Sequence, residues 1–401
     1  MSDHRVVVVG GGAAAAGVVS TLERAGLDGQ VTVVSDEFQR PYDRPPLSKS
    51  VLTDSGVQPT WLLAPDHRGA QYVLGDPAVG LDIHTHRVAL SSGRLIPYED
   101  LVIATGVRPR RVLNGDAADR AHALRTYDDA LALRDKLTAG ASVVVLGASV
   151  LGTEVAASAV QRGCRVVVAA PELDLGGRLL GSTVAAMLTG VHEGHGVQRW
   201  LGRSALGVDT TPGSDVLRIR FDDGTVLDAD VVVEATGSVP NTEWLQGTGV
   251  TLADGVVTDE HLRVSSGIWA AGDVCRWRDD VSGQTERREN RTNASEQALI
   301  VARNIEATRN GSPMRRMEAV PYFWTDQYGL TLHVLGRVGH DDQLEELDGD
   351  LSSGDMAAIY RDGSGRLAGA VVVGRPRVLR ELRLEMVKGR AASSAAAAPG
   401  A

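Results

Sequence analysis

One arrangement occurs twice and limits the folds open to this chain. RVVVVGGGAAAAGVVSTLERAG (5–26) is followed by QVTVVSDE (30–37), and SVVVLGASVLGTEVAASAVQRG (142–163) by CRVVVAAPE (164–172). Each reads as a strand of four or five apolar residues, a glycine-rich turn, an alanine-rich helix and a second strand. Continuous β-branched runs without polar alternation are what a parallel strand covered on both faces requires. The two turns open at Gly10 and Gly147, 137 positions apart. Together they predict an α/β protein with two Rossmann-like dinucleotide-binding domains.

The rest of the 401 residues is arranged around these units. LVIATGVRPR (101–110) and VVVEATGSVPN (231–241) read as short strands finishing the two nucleotide sheets. GIWAAGDVCRW (267–277) supplies a strand, a turn and an acid, and NASEQALIVARNI (293–305) a helix. After Pro313, FWTDQYGLTLHVLG, DMAAIYRD and RLAGAVVVG read as antiparallel strands and RPRVLRELRLEMVKG as a closing helix, a C-terminal α+β domain. The expected division is 1–110 and 236–312 for one nucleotide domain, 111–235 for the other, and 313–390 for the C-terminal domain. The tail AASSAAAAPGA (391–401) is low-complexity and expected to be disordered.

Several function classes are disfavoured. A formal charge of −10 argues against nucleic acid as the main partner. No apolar run reaches the ~18–20 residues that cross a bilayer. MSDHR leads directly into a strand without a charged-then-apolar leader, and the two cysteines, Cys164 and Cys275, form no CxxC. A cytoplasmic protein in a reducing compartment is expected.

In the first turn, Gly10, Gly12 and Ala15 fill a GxGxxG/A pattern between strand and helix. Gly10 permits the tight turn, Gly12 lets backbone approach a pyrophosphate, and Ala15 keeps the helix close to its strand. The helix N-terminus offers free N–H groups and a positive dipole end. Asp36 ends the second strand, where an acid takes ribose hydroxyls. Glycine-rich turns also occur for packing alone, but an acid following the strand–turn–helix favours a nucleotide.

The second turn, Gly147, Ser149 and Gly152, replaces the middle glycine. Serine adds a side chain where backbone should meet pyrophosphate, which leaves a looser dinucleotide site or a turn kept for packing. The ribose-acid position near Ala169–Ala170 is neutral and Glu172 comes late, weakening selection of NADH over NADPH. Arg165 and Arg178 are nearby cations, either partners for a 2′-phosphate or solvated surface residues.

RPYDRPPLSKSVL (40–52) follows the first nucleotide site with three prolines in six positions. So stiff a segment fixes Arg44 and Lys49 at a set distance, beyond what an exposed loop needs.

RPYDRPPLSK, the two ATG strands, AAGDV, NASEQ and FWTDQYG, in order from about residue 5 to about 390, resemble the FAD-dependent NAD(P)H:ferredoxin reductases of oxygenase systems. The resemblance implies a glutathione-reductase-like architecture binding FAD and NADH, with NADPH possible. Gly10, Gly12, Ala14, Ala15 and Asp36 would hold the adenosine and pyrophosphate half of FAD. Arg44 and Lys49 would lie along the cofactor, with the Lys49 ammonium near flavin N5 and Glu154 as its pairing acid; these two are the catalytic pair. Val79, Thr105, Gly106, Arg125, Arg291 and Trp324 complete the FAD set, and Asp273 would bond the ribityl chain. Gly147, Ser149, Gly152, Arg178 and Gly237 would form the NAD(P) side. A cation beside N5 and N1 stabilises the negative charge of reduced flavin. Many relatives carry an aromatic residue where Arg291 stands, and arginine there changes solvent access. Trp324 either stacks on nicotinamide, lines a route to the partner, or packs in the core.

Without CxxC, electrons leave the flavin directly. A hydride brings two and a 2Fe–2S ferredoxin takes them singly, with no metal held by the chain itself. Arg375, Arg377, Arg380, Arg383, Lys388 and Arg390 against Glu381 and Glu385 form a basic face on the closing helix, either a docking surface for an acidic ferredoxin or a solvated amphipathic helix. The alternatives are an enzyme whose reduced flavin meets O₂ or a small organic substrate, and a redox-sensing flavoprotein. Monomer and homodimer are equally compatible with the sequence.

Overall fold

The computed structural model describes residues 5–397 except 28, 65, 211–212, 280–284 and 339–342. Strand β1 (Val6–Val9) is four valines with no polar face, so only the middle of a covered sheet can hold it. It is followed by α1 (Ala13–Arg24), β2 (Val31–Val34), β3 (Gln71–Val73) and β4 (Asp100–Ile103). β1 lies in parallel between β2 and β4, with Val6 opposite Val31 and Asp100. β3 extends one side, and Ile268–Ala270 and Arg263–Ser265 extend the other, giving six strands. The second unit is β5 (Ser142–Leu146), α2 (Val150–Gln161) and β6 (Arg165–Ala170), continued by helix α3 (Ser182–Gly194), β7 (Gln198–Leu201) and β8 (Val231–Glu234). Its five-stranded parallel sheet runs β7, β6, β5, β8 and His122–Ala123.

The ATG strands therefore do not finish their sheets. β4 and β8 are interior, with two strands beyond β4 and one beyond β8, because each is apolar on both faces and must be covered on both. Just past them the two units are tied together. Val107–Pro109 pairs antiparallel with Ser238–Pro240. Thr105 Oγ1 donates to the Asn241 carbonyl (2.8 Å), and Asn241 Nδ2 donates to that of Thr105 (2.9 Å). Both glycine turns consequently open on one space.

Helix α4 (Arg291–Asn310) returns to the first unit and packs on α1. The antiparallel C-terminal sheet is built from β9 (Tyr322–Gln327), β10 (Leu330–Gly336), β11 (Gln343–Asp350), β12 (Asp355–Arg361) and β13 (Leu367–Val373), in the order β9, β10, β13, β12, β11. Alternation sends Leu332, Val334, Val371 and Val373 to one face, against Leu180, Val184 and Leu188 around α3. Leu335, Ala370 and Val372 face Leu382 and Met386 of α5 (Pro376–Ala397). The tail expected to be disordered instead carries α5 on to Ala397, since alanine has the highest helix propensity; 398–401 lie outside the described residues.

The α1–α4 contact depends on Gly17, where a Cβ would sit 2.7 Å from Ala298 Cβ. Gly17→Val should force the helices apart and destabilise the protein by ~1–3 kcal/mol. Urea unfolding checks this; an unchanged midpoint would show that the helices tolerate separation.

Candidate active site

A cavity of about 1580 Å³ lies between the two glycine turns, the 44–49 loop and the C-terminal sheet. Single-ligand pockets are ~300–1000 Å³, so this space has room for more than one small molecule. Its wall includes Gly10, Gly12, Ala14, Asp36, Arg44, Lys49, Val79, Thr105, Gly106, Arg125, Ser149, Glu154, Gly237, Asp273, Arg291 and Trp324, sixteen of the twenty residues singled out from the sequence. Ala15, Gly147 and Gly152 instead lie beneath the turns. The side chain of Arg178 lies outside the described residues.

The first turn fits a dinucleotide. Gly10 has φ +129°, and a Cβ there would fall 2.0 Å from the Ala104 carbonyl oxygen. At Gly12 a Cβ would meet nothing within 4 Å, so the backbone is open to the cavity. Gly12 is also the N-cap of α1 and makes no side-chain cap, which leaves the first N–H groups to an anion. The Asp36 carboxylate is exposed on the wall and makes no hydrogen bond among the described residues. Its neighbour Glu37 has the structural role, accepting from Arg44 Nη2 (2.5 Å) and Tyr42 Oη (2.5 Å).

The second turn is built alike underneath and differs on its face. Cβ atoms at Gly147 and Gly152 would fall 2.3 Å from the Ala235 oxygen and 2.1 Å from the Gly147 oxygen. Ser149 turns back onto the loop, donating to the Ala235 carbonyl (3.3 Å) and accepting from the Gly152 N–H (3.4 Å). The serine thus caps α2 and takes one N–H that a phosphate would otherwise use. Arg165 opens β6, about five residues or ~16 Å from the turn-side end, too far for a ribose phosphate. Ala170, at that end, is buried.

Lys49 and Glu154 form the ionic centre. Pro45–Ser48 is a single 3₁₀ turn, and the Ser48 carbonyl is held by Ser158 Oγ of α2 (2.7 Å). Lys49 Nζ then lies 2.9 Å from Glu154 Oε2 and donates to the Pro45 carbonyl (3.1 Å). Glu154, 6% exposed, also accepts from Ser48 Oγ at Oε2 (2.5 Å) and from Thr325 Oγ1 at Oε1 (2.6 Å). Ser48 and Thr325 were not singled out from the sequence, although both lie inside motifs that were. Nor was Glu234, a buried wall residue whose Oε1 accepts from the Val112 N–H (2.8 Å) and the Leu113 N–H (3.1 Å) while Oε2 lies 2.7 Å from Arg111 Nε.

Two further ion pairs border the space. Arg125 Nη2 lies 3.2 Å from Asp273 Oδ2; burial pushes the Asp273 carboxyl up, against the pull of Arg125. Arg291, at the start of α4, pairs with Asp43 and donates to Ser295, joining the proline loop to α4. Trp324 stacks on Tyr322 at 6.2 Å between ring centroids, and Arg383 of α5 lies over the Tyr322 ring at 5.7 Å. Trp324 is therefore a wall residue joined to the surface and is not enclosed in the core.

The pyridine nucleotide-disulphide oxidoreductase family matches residues 4–298, and the reductase C-terminal family matches 322–400. The chain belongs to the pyridine nucleotide-disulphide oxidoreductases. It is 33% identical over 384 residues to the ferredoxin–NAD(+) reductase component of the p-cumate 2,3-dioxygenase system of Pseudomonas putida, covering 93% of this chain and 90% of the relative. Putidaredoxin reductase CamA of Pseudomonas putida is 32% identical over 385 residues, covering 94% and 90%. A covalent putidaredoxin reductase–putidaredoxin complex matches with a TM-score of 0.88 at 30% identity, covering 96% and 93%. The fold is accordingly the glutathione-reductase-like one.

The disulphide in the family's name has no counterpart here. Cys164 and Cys275 are both buried and free, belong to different cores, and are absent from the cavity wall. Burial pushes the Cys275 thiol up to about 12. No helix among the described residues is long and apolar enough to cross a membrane.

The two turns give contrasting expectations. Gly12→Ala should leave thermal stability nearly unchanged but weaken FAD retention roughly 10- to 100-fold, the loss of a charge-assisted hydrogen bond worth ~1.5–3 kcal/mol. Gly152→Ala should destabilise the fold itself. Equilibrium dialysis of FAD beside melting curves checks both, and equal behaviour of the two variants would contradict the assignment.

Proposed function

We propose that this chain is an FAD-dependent reductase that takes hydride from NADH and passes single electrons to a 2Fe–2S ferredoxin of an oxygenase system. The observation that carries the reading is one cavity reached by both nucleotide turns, with the Lys49–Glu154 pair on its wall and no cysteine among its lining residues. Hydride brings two electrons, and without a dithiol the exit is direct. The named relatives act with ferredoxins or putidaredoxin, which supports a partner of that class.

Residues 1–110 and 236–312 form the FAD domain, 111–235 the NADH domain, and 313–390 the interface domain. Bound FAD supplies two-electron uptake and one-electron release. Gly10, Gly12, Ala14 and Asp36 hold its nucleotide half, with Ala15 beneath them. Arg44, Val79, Thr105, Gly106, Arg125, Asp273, Arg291 and Trp324 border the remainder. Ser149 and Gly237 face the nicotinamide nucleotide, Gly147 and Gly152 shape that turn, and Arg178 stays a candidate for its phosphates. The Lys49 ammonium, fixed by Glu154 and the Pro45 carbonyl, offers positive charge where negative charge develops on reduction. Buried free thiols accord with a reducing cytoplasm.

Anaerobic addition of NADH should bleach the yellow protein, and a 2Fe–2S ferredoxin should restore its colour in one-electron steps. Reoxidation by O₂ alone, with peroxide formed and ferredoxin inert, would favour an oxidase. Lys49→Met should retain FAD and slow reduction by on the order of 10- to 1000-fold. Unchanged stopped-flow rates would make Lys49 structural.

The partner surface follows from the end of the Arg383–Tyr322–Trp324 stack. Most cations of α5 are occupied within the chain. Arg377 pairs with Glu381, Arg383 with Glu296 and Arg390 with Asp279, and Arg375, just before the helix, with Asp348 and Asp355. Arg380 and Lys388 remain exposed without an ion pair among the described residues, beside exposed Leu384 and Val387. Arg380→Glu with Lys388→Glu should slow ferredoxin reduction most at low salt, since exposed charges are screened over ~10 Å at 0.1 M. Reduction of an uncharged dye should be unaffected. Equal losses with dye and ferredoxin would mean that the helix serves only the fold.

A further inference from the structure

We propose that His192, acting through Gln327 and Thr325, is a positioning residue for the Lys49–Glu154 pair. The proposal rests on the reading of that pair given above. His192 of α3 is fully buried and 135 residues from Gln327 in sequence, yet its Nε2 lies 2.7 Å from Gln327 Oε1. Tyr328 Oη lies 3.1 Å from His192 Nδ1. Gln327 Nε2 donates to Thr325 Oγ1 and to Thr153 Oγ1, both at 2.9 Å. Thr325 Oγ1 donates to Glu154 Oε1 at 2.6 Å.

The row has a single consistent direction. An amide oxygen only accepts, so His192 Nε2 carries the hydrogen shared with Gln327. In the neutral ring Nδ1 then accepts from Tyr328. Burial holds the imidazole neutral by lowering its pKa to about 4. Gln327, held by its oxygen, turns its N–H groups to the two threonines. Thr325 accepts from it and has its own hydrogen for Glu154. From Tyr328 through His192, Gln327 and Thr325 the donors run toward the carboxylate whose other oxygen meets Lys49, and aligned hydrogen bonds strengthen one another.

The backbone gives independent support. Tyr328 and Gly329 form the two-residue turn between β9 and β10, with φ of +53° and +78°. Such turns favour asparagine or glycine at the first position, and a bulky residue there is strained by ~1 kcal/mol or more. Tyrosine brings to this site the hydroxyl that fixes the imidazole. His195 stacks on the Tyr328 ring at 3.9 Å and lies outside the row, which makes it a natural control.

The test is a double-mutant cycle on the FAD-loaded protein. His192→Phe should lower the limiting rate of anaerobic flavin reduction at saturating NADH by roughly 3- to 10-fold, a usual size for coupled hydrogen-bonded residues. Apparent NADH affinity should stay within about twofold, since the row ends on Glu154 and its one branch stops at the buried Thr153 hydroxyl, which is not on the cavity wall. In a Glu154→Gln background the same substitution should have almost no further effect. His195→Ala should change nothing. Gln327→Met provides the same cycle if His192→Phe does not retain FAD. An undiminished factor in both backgrounds, or no effect in either, overturns the proposal. If Glu154→Gln alone leaves the limiting rate unchanged, the reading of the Lys49–Glu154 pair fails instead, and the proposal with it.

Discussion

A carboxylate removed from water must be paired and hydrogen-bonded, or it is a cost of several kcal/mol. Glu154 meets that requirement with Lys49, Ser48 and Thr325. Those partners come from the proline loop and β9, while Glu154 itself is on α2. The carboxylate is satisfied only when the first unit's loop, the second unit's helix and the C-terminal sheet have all assembled. Two things follow from one constraint: the domains are held in register, and an ammonium is fixed on the cavity wall.

The two nucleotide turns share their underside and differ on the exposed face. Gly10, Gly147 and Gly152 are there because any Cβ would overlap a carbonyl oxygen, which is a demand of strand–helix packing. Gly12 is different, since nothing occupies the space its Cβ would take. A fully open helix terminus at Gly12 suits a cofactor that stays. The Ser149 cap, already engaging one N–H, suits a nucleotide that must leave after each turnover.

Much of this was legible in the sequence because strand–turn–helix periodicity and glycine geometry are local. Valine runs foretold β1 and β5, and sixteen of the twenty chosen residues reach the cavity wall. What failed to show was of two kinds. Ser48–Glu154 and Thr325–Glu154 join positions 106 and 171 residues apart, and no periodicity reports that. At Ser149 the sequence leaves a looser site or a packing turn open, and the cap its hydroxyl makes on its own helix is set by a rotamer that the sequence does not report. The alanine-rich tail misled differently. Low complexity suggested disorder, while alanine's propensity extended an existing helix.

The basic helix shows why counting charge along a sequence differs from reading a surface. Asp348, Asp355, Glu296 and Asp279 belong to other elements, so their neutralisation of Arg375, Arg383 and Arg390 is invisible in the segment itself. Exposed pairs such as Arg383–Glu296 contribute at most ~1 kcal/mol each to stability and Arg390–Asp279 is partly buried, but all of them remove net charge from the field a partner meets. A chain of net charge −10 would repel an acidic protein over most of its surface. On the closing helix the attraction comes from Arg380 and Lys388, which make no ion pair among the described residues, beside Arg383 at the outer end of the aromatic stack. Two such cations beside the stack would orient an acidic partner as well as attract it, because an approach that meets them also meets the side of the molecule from which the stack leads to Trp324.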